Sequence, residues 1–143
     1  MIAYADTGFL VSLYVSDVHS AAATALVKSN PVFFLTRLLE TEFVNALELR
    51  VFRKELTPRE ARLVQDQFLH DQAAGVFRSE PISAEVWENA LILARRHSAV
   101  VGARTLDILH VATALVLKPD VFFTFDKRQR AVAKAEHLRV LPS

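Results

Sequence analysis

A chain of 143 residues is the size of one ordinary domain, long enough to bury a core without disulfides or a structural metal. It contains no cysteine, which excludes disulfide frameworks, thiolate zinc sites and thiol nucleophiles. Its 17 basic and 16 acidic side chains give no global field that would steer it to nucleic acid, so any such binding must be local.

Hydrophobic residues make up 52% of the chain against only 3 Gly and 5 Pro, a composition that predicts regular, largely helical structure. The first strand-like segment, Ile2–Ala5, follows directly on Met1 with no basic n-region and no long apolar h-region, so no secretory signal is expected. No apolar run reaches the roughly 18 to 20 residues of a membrane span. A single cytoplasmic domain, residues 1–143, without a membrane anchor is the expectation.

Helical patterns then cover Thr7–Val15 and His19–Lys28, and Pro31–Leu35 is a second strand-length run. Helices follow at Thr36–Lys54 and Pro58–Ala74. Val76–Arg78 is a candidate short strand, and Ala84–Arg96 and Thr105–Leu117 are helical. Val121–Phe125 is a third clear strand, Lys127–Ala135 a last helix, and Leu138–Leu141 a final candidate strand. Strands separated by helices require right-handed crossovers, hence a mainly parallel sheet covered on both faces. The predicted fold is α/β, a three-layer α/β/α sandwich, with its ligand site outside the carboxyl ends of the strands.

Two acids stand at those ends. Asp6 closes the first strand before Thr7–Val15, and Asp126 repeats the arrangement before Lys127–Ala135. Each is a good N-cap in its own right, accepting orphan backbone N–H groups at the positive end of a helix dipole. A parallel sheet nevertheless delivers both carboxylates to one edge, and a cap can also be a ligand. Asp107 and His110 are the only ionisable groups between Leu106 and Leu117, three residues apart on one face of an otherwise apolar helix. Thr105 could cap that helix and Asp107 complement its dipole; His110 reads equally well as a hydrogen-bonded core histidine.

Glu42 is the most informative residue, because helical spacing sets Leu38, Leu39, Ala46 and Leu49 around it and Asn45 on the same stripe, while Glu40 and Glu48 point to solvent. A carboxylate among leucines costs several kcal/mol unless it is paired, hydrogen-bonded or metal-bound. An ion pair with an arginine such as Arg104 is one compensation. Metal is the other: four acids and no thiols suit the hard oxygen coordination of Mg²⁺ or Mn²⁺ better than zinc. Bound ions also reverse the repulsion that clustered carboxylates exert on an anionic substrate.

These residues resemble a known family. Asp6-Thr7-Gly8-Phe9-Leu10-Val11, Leu39-Glu40-Thr41-Glu42-Phe43-Val44-Asn45-Ala46-Leu47, Arg104-Thr105-Leu106-Asp107-Ile108-Leu109-His110-Val111-Ala112-Thr113-Ala114 and Thr124-Phe125-Asp126-Lys127-Arg128-Gln129 are similar, in order and spacing, to the motifs of PIN-domain ribonucleases, and among them of the VapC-like toxins of toxin–antitoxin pairs. The resemblance covers essentially the whole chain. It implies cleavage of RNA by an endonuclease that depends on Mg²⁺, with Mn²⁺ as a substitute, and that leaves 5′-phosphate and 3′-hydroxyl ends. Asp6, Glu42, Asp107 and Asp126 match the acidic ligand positions, and Thr7, Asn45 and Thr124 the polar residues that line the site. Gly8 departs from the usual serine. Arg104, Lys127 and Arg128 lie beside acid positions, where they could hold flanking phosphates. A homodimer and a cognate antitoxin are also implied.

Two other readings compete. An Asp-based phosphatase also carries Asp after its first strand, but its Asp-x-Asp motif needs an acid where Gly8 stands. A non-catalytic RNA-binding or scaffold protein on the same fold would be marked by a missing acid, and none of the four is missing.

Overall fold

The alternation of side chains along three strands decides the layers. The computed structural model describes residues 1–143, with five strands: β1 (Ile2–Ala5), β2 (Val32–Leu35), β3 (Phe77–Ser79), β4 (Val121–Phe123) and β5 (Val140–Leu141). Successive side chains of a strand point to opposite faces. Ala3, Ala5, Phe33, Leu35, Val121 and Phe123 accordingly enter one core, and Tyr4, Phe34 and Phe122 the other.

The first core is completed by α1 (Thr7–Tyr14), α2 (Ser20–Leu26), α3 (Arg37–Phe52) and α4 (Pro58–Ala73), which contribute Phe9, Ala23, Phe43 and Phe68 among others. The second is closed by α5 (Ala84–Leu93), α7 (Thr105–Leu117) and α8 (Lys127–Ala135), through residues such as Val86, Val111 and Val132. Fully burying one such side chain contributes about 1.5–3 kcal/mol. The α/β/α sandwich expected from the sequence is therefore the observed architecture, and no helix is long and apolar enough to cross a membrane.

All strand pairs are parallel, in the order β3-β2-β1-β4-β5. The order reverses between β1 and β4, so a crevice opens beyond the carboxyl ends of these two neighbours, where open α/β sheets bind ligands. Asp6 follows β1 and Thr124 follows β4, on the two sides of that crevice.

Element boundaries differ from the sequence expectation at a few places. β4 ends at Phe123 and not at Phe125: the Thr124 N–H still bonds Leu141 O at 3.1 Å, but its side chain turns to the acids described below, and Asp126 already caps the next helix. The helix expected to stop at Arg96 continues as a π-helical turn, Ala94–Ser98, and a last turn α6 (Ala99–Val101), closed by Gly102 at φ 71°. Arg96 and His97, polar residues that read as a helix end, are held there by Glu136, each at 2.6 Å.

Candidate active site

Each acid is positioned by the backbone around it. Asp6 is the N-cap of α1: its Oδ1 accepts the Phe9 N–H at 2.8 Å, and its Oδ2 accepts the Thr124 hydroxyl at 2.6 Å. Asp126 is the N-cap of α8, with Oδ1 accepting the N–H groups of Arg128 (2.8 Å) and Gln129 (2.9 Å). The capping reading of both is thus correct, and it does not compete with a role in the site. Thr124 joins them, since the same oxygen that donates to Asp6 accepts the Asp126 N–H at 2.9 Å.

Asp107 is almost fully buried. Arg104, not Thr105, occupies the N-cap of α7, and Asp107 Oδ2 accepts its N–H at 2.9 Å, while Oδ1 accepts from Gln129 Nε2 at 3.2 Å. The exposed guanidinium of Arg104 then spans two acids, 3.3 Å from Asp107 and 3.9 Å from Asp126.

Glu42 finds a partner other than the arginine considered from sequence. His110 Nε2 lies 2.7 Å from Glu42 Oε1, and His110 Nδ1 lies 2.7 Å from the Tyr4 hydroxyl. With the Tyr4 hydroxyl donating to Nδ1, the proton of the neutral ring sits on Nε2, facing the Glu42 carboxylate. Burial, and then the charge of Glu42, push the Tyr4 phenol well above its ordinary value, so it stays a donor. The Nε2 and Oε1 atoms are close without the alignment of a hydrogen bond. Glu42 is also less inward than the sequence reading placed it. The buried stripe of α3 is Leu39, Phe43 and Leu47, and Glu42 flanks it.

Together these side chains line one cleft of about 780 Å³, with Asp6, Thr7, Glu42, Arg104, Asp107, His110, Asp126 and Gln129 on its walls. Thr124 acts from just behind. Asn45 is exposed and off the cleft wall, because three residues of helix turn it away from Glu42, and Lys127 and Arg128 are exposed without lining it. Gly8 lines the cleft, and a Cβ there would meet only Asp6 Oδ1 at 3.8 Å, so the missing serine is not a matter of space.

Two buried polar atoms at this cleft, Thr7 Oγ1 and Gln129 Oε1, have no hydrogen-bond partner, and Glu42 Oε1 and His110 Nε2 face only each other, without aligned geometry. Native proteins leave few such atoms, and a group of them in one place signals a polar occupant. Burial is the main influence on Asp6 and raises its carboxyl above the usual range, against the hydrogen bonds from Thr124 and Phe9. No three His, Asp or Glu side chains converge into a ready-made cage.

The family model described as PIN domain matches residues 3–135. The chain belongs to the PIN-domain family. A search of curated proteins gives no match. Solved structures of similar PIN-like fold include Mycobacterium tuberculosis VapC20, described as a sarcin-ricin loop cleaving toxin, at 22% identity over 90% of this chain and 93% of that one, with a TM-score of 0.68. Neisseria gonorrhoeae FitAcB matches at 17% identity over 98% and 96%, with a TM-score of 0.70. A toxin–antitoxin complex from Klebsiella pneumoniae matches at 17% identity over 90% of both chains, with a TM-score of 0.62. At these identities the likeness is one of fold.

Sequence reasoning missed several residues of this PIN-domain cleft. Gln129 holds Asp107, and its only signal was its place in the first turn after the Asp126 cap. Asp17, His19, Arg50 and Phe125 also line the cleft. For the Asp17–His19 segment the one signal the sequence holds is the turn chemistry of Asp17 and Ser20, which sequence reasoning passed over.

Proposed function

We propose that this PIN-domain protein, as a single domain, is a divalent-metal-dependent endoribonuclease and the toxin of a toxin–antitoxin pair. The observation that carries the reading is the gathering of Asp6, Glu42, Asp107 and Asp126 in one cleft at the β1–β4 crevice. Family membership and the cleaving toxin among the structures of similar fold support it. The Klebsiella complex supports an antitoxin partner, and a homodimer in the cytoplasm belongs to the same reading.

The residues suit a hard cation. Every acid presents oxygen, and Glu42 Oε1 is buried without an aligned donor. Because three side chains do not converge on one point, the fit is to an ion that keeps several waters and takes one or two carboxylates, as Mg²⁺ does. One or two of Asp6, Glu42, Asp107 and Asp126 would hold it directly, and the others would hold it through its waters. When bound, such an ion activates water and offsets the charge that develops on a phosphodiester.

The chain supplies the rest. Thr124 and the first turns of α1 and α8 fix Asp6 and Asp126 in place, so neither must reorganise during the reaction. Gln129 and the Arg104 N–H hold Asp107, and His110, braced by Tyr4, orients Glu42. Arg104 is exposed enough to swing from the acids to a phosphate. The test is incubation of total RNA with Mg²⁺ and protein, then sequencing of the new ends: internal cuts with 5′-phosphates are expected, and intact RNA would refute the reading.

A further inference from the structure

One feature of the cleft takes no part in holding acids. At its mouth the ring of His19 lies on the ring of Phe125, centroids 4.4 Å apart and planes 11° from parallel. The stack continues inward from Phe125 to Phe9 at 5.2 Å and from Phe9 to Phe123 at 4.8 Å. Phe9 and Phe123 are wholly buried, Phe125 is half-buried and His19 is exposed. An aromatic column therefore runs from the core to the surface and ends in an open π-face beside the acids.

The segment that carries His19 is pinned. Asp17 Oδ1 accepts the His19 N–H at 2.8 Å, the Ser20 hydroxyl accepts the Asp17 N–H at 2.9 Å, and the same hydroxyl donates to Val15 O at 3.0 Å. Asp17 Oδ2 accepts the Ser12 hydroxyl at 2.8 Å from α1 and faces Arg50 of α3 at 3.7 Å. A ring fixed before its ligand arrives loses little entropy on binding.

We propose that His19, backed by Phe125, is a stacking shelf for an unpaired nucleobase of the RNA strand that enters the acidic cleft. The inference deepens the ribonuclease reading and rests on it. Unstacked bases of single strands are gripped in this way by aromatic side chains, whereas a base held within a duplex shows no free face. The cleft therefore favours looped or single-stranded RNA. A purely structural role for His19, as a cover over Phe125, would need only an apolar side chain, and this difference sets the controls.

The test measures binding by fluorescence anisotropy, in Ca²⁺, of a labelled oligoribonucleotide of randomised sequence and of an abasic ribose-phosphate strand of the same length. Wild-type protein is expected to prefer the strand with bases. His19→Ala and His19→Leu should each lose about tenfold in affinity for that strand and little for the abasic one, and His19→Trp should restore the preference. Equal loss on both strands would make His19 a phosphate contact and overturn the shelf. Unchanged binding in His19→Ala would leave the exposed ring for a protein partner and also overturn it. If wild-type protein binds neither strand and cleaves no RNA, the ribonuclease reading falls and the shelf with it; cleavage by wild type with no effect of His19→Ala removes the shelf alone.

Discussion

His110 stands between Tyr4 and Glu42, 2.7 Å from each, with one ring nitrogen turned to a buried phenol and the other to the carboxylate at the cleft wall. A groove-facing glutamate is thereby oriented from the opposite face of the sheet: Tyr4 is in β1, His110 in α7 and Glu42 in α3. If Glu42 holds a cation as proposed, a partner one step behind it typically contributes about 10- to 100-fold in affinity or activity. His110→Gln is expected to weaken Mn²⁺ binding by that order in calorimetry, with a parallel loss of cleavage. Tyr4→Phe should lose less function and about 1 kcal/mol of stability. Unchanged Mn²⁺ affinity in His110→Gln would show that Glu42 needs no such brace.

Asp6 carries its charge at an unfavourable place. Burial raises its carboxyl above the usual range, so ionised Asp6 weakens the metal-free fold near neutral pH. Asn removes the charge and keeps the Phe9 bond through its carbonyl oxygen, while its NH2 meets the Thr124 hydroxyl as a donor, reversing that bond. Asp6→Asn should therefore melt at a higher temperature than wild type in EDTA, and bind Mn²⁺ far more weakly, the trade expected of a functional site. A lower melting temperature in EDTA would contradict this account of Asp6.

The Arg104 guanidinium lies 3.3 Å from Asp107 and 3.9 Å from Asp126 and partly offsets their charge. Removing its charge has two opposite consequences. Arg104→Gln should bind Mn²⁺ more tightly by calorimetry, since a positive neighbour is gone, and RNA more weakly, with the salt dependence of RNA binding shallower by about one counterion. If both affinities move in the same direction, Arg104 is not the exchangeable counter-charge described here.

Much of this arrangement was legible in the sequence, and the exceptions have physical reasons. The places of Asp6 and Asp126 followed from strand-to-helix boundaries, which are local signals, and the alternation of strands with helices implied a parallel sheet covered on both sides. Glu42 was noticed for its apolar neighbours, yet its partner His110 is distant in sequence, and helical spacing alone could not choose between it and Arg104. Asn45 was misplaced because i and i+3 sit on neighbouring parts of a helix, and here the cleft edge runs between them. The helix continuing past Arg96 was hidden because Glu136, the C-cap of α8, compensates the charges that read as its end. Phe125 looked like the end of a strand, and only the structure shows its ring under His19.

Asp17 gives the molecule a pH dependence of its own. Burial opposes its charge, but the His19 N–H, the Ser12 hydroxyl and the Arg50 guanidinium outweigh burial and hold its carboxyl below the usual range. A carboxyl lowered by folding adds stability above its unfolded value, near 3.9, and that stability is lost as pH falls through the folded value. Asp17→Asn should destabilise the protein by about 1 kcal/mol at neutral pH. The gap between the two melting temperatures should close in strong acid. A gap independent of pH would mean that the Asp17 charge is not what pins the His19 segment.

The central claim is that the four carboxylates act together on RNA through a divalent cation. Its most direct test is the rate of cleavage of total RNA in Mg²⁺, and in EDTA, by wild type, Asp107→Asn and Glu42→Gln, each shown to be folded by thermal melting. Cleavage by wild type in Mg²⁺ alone, falling by more than about 100-fold in either variant, is the predicted result. Cleavage that persists in EDTA, or that both variants retain, would contradict it.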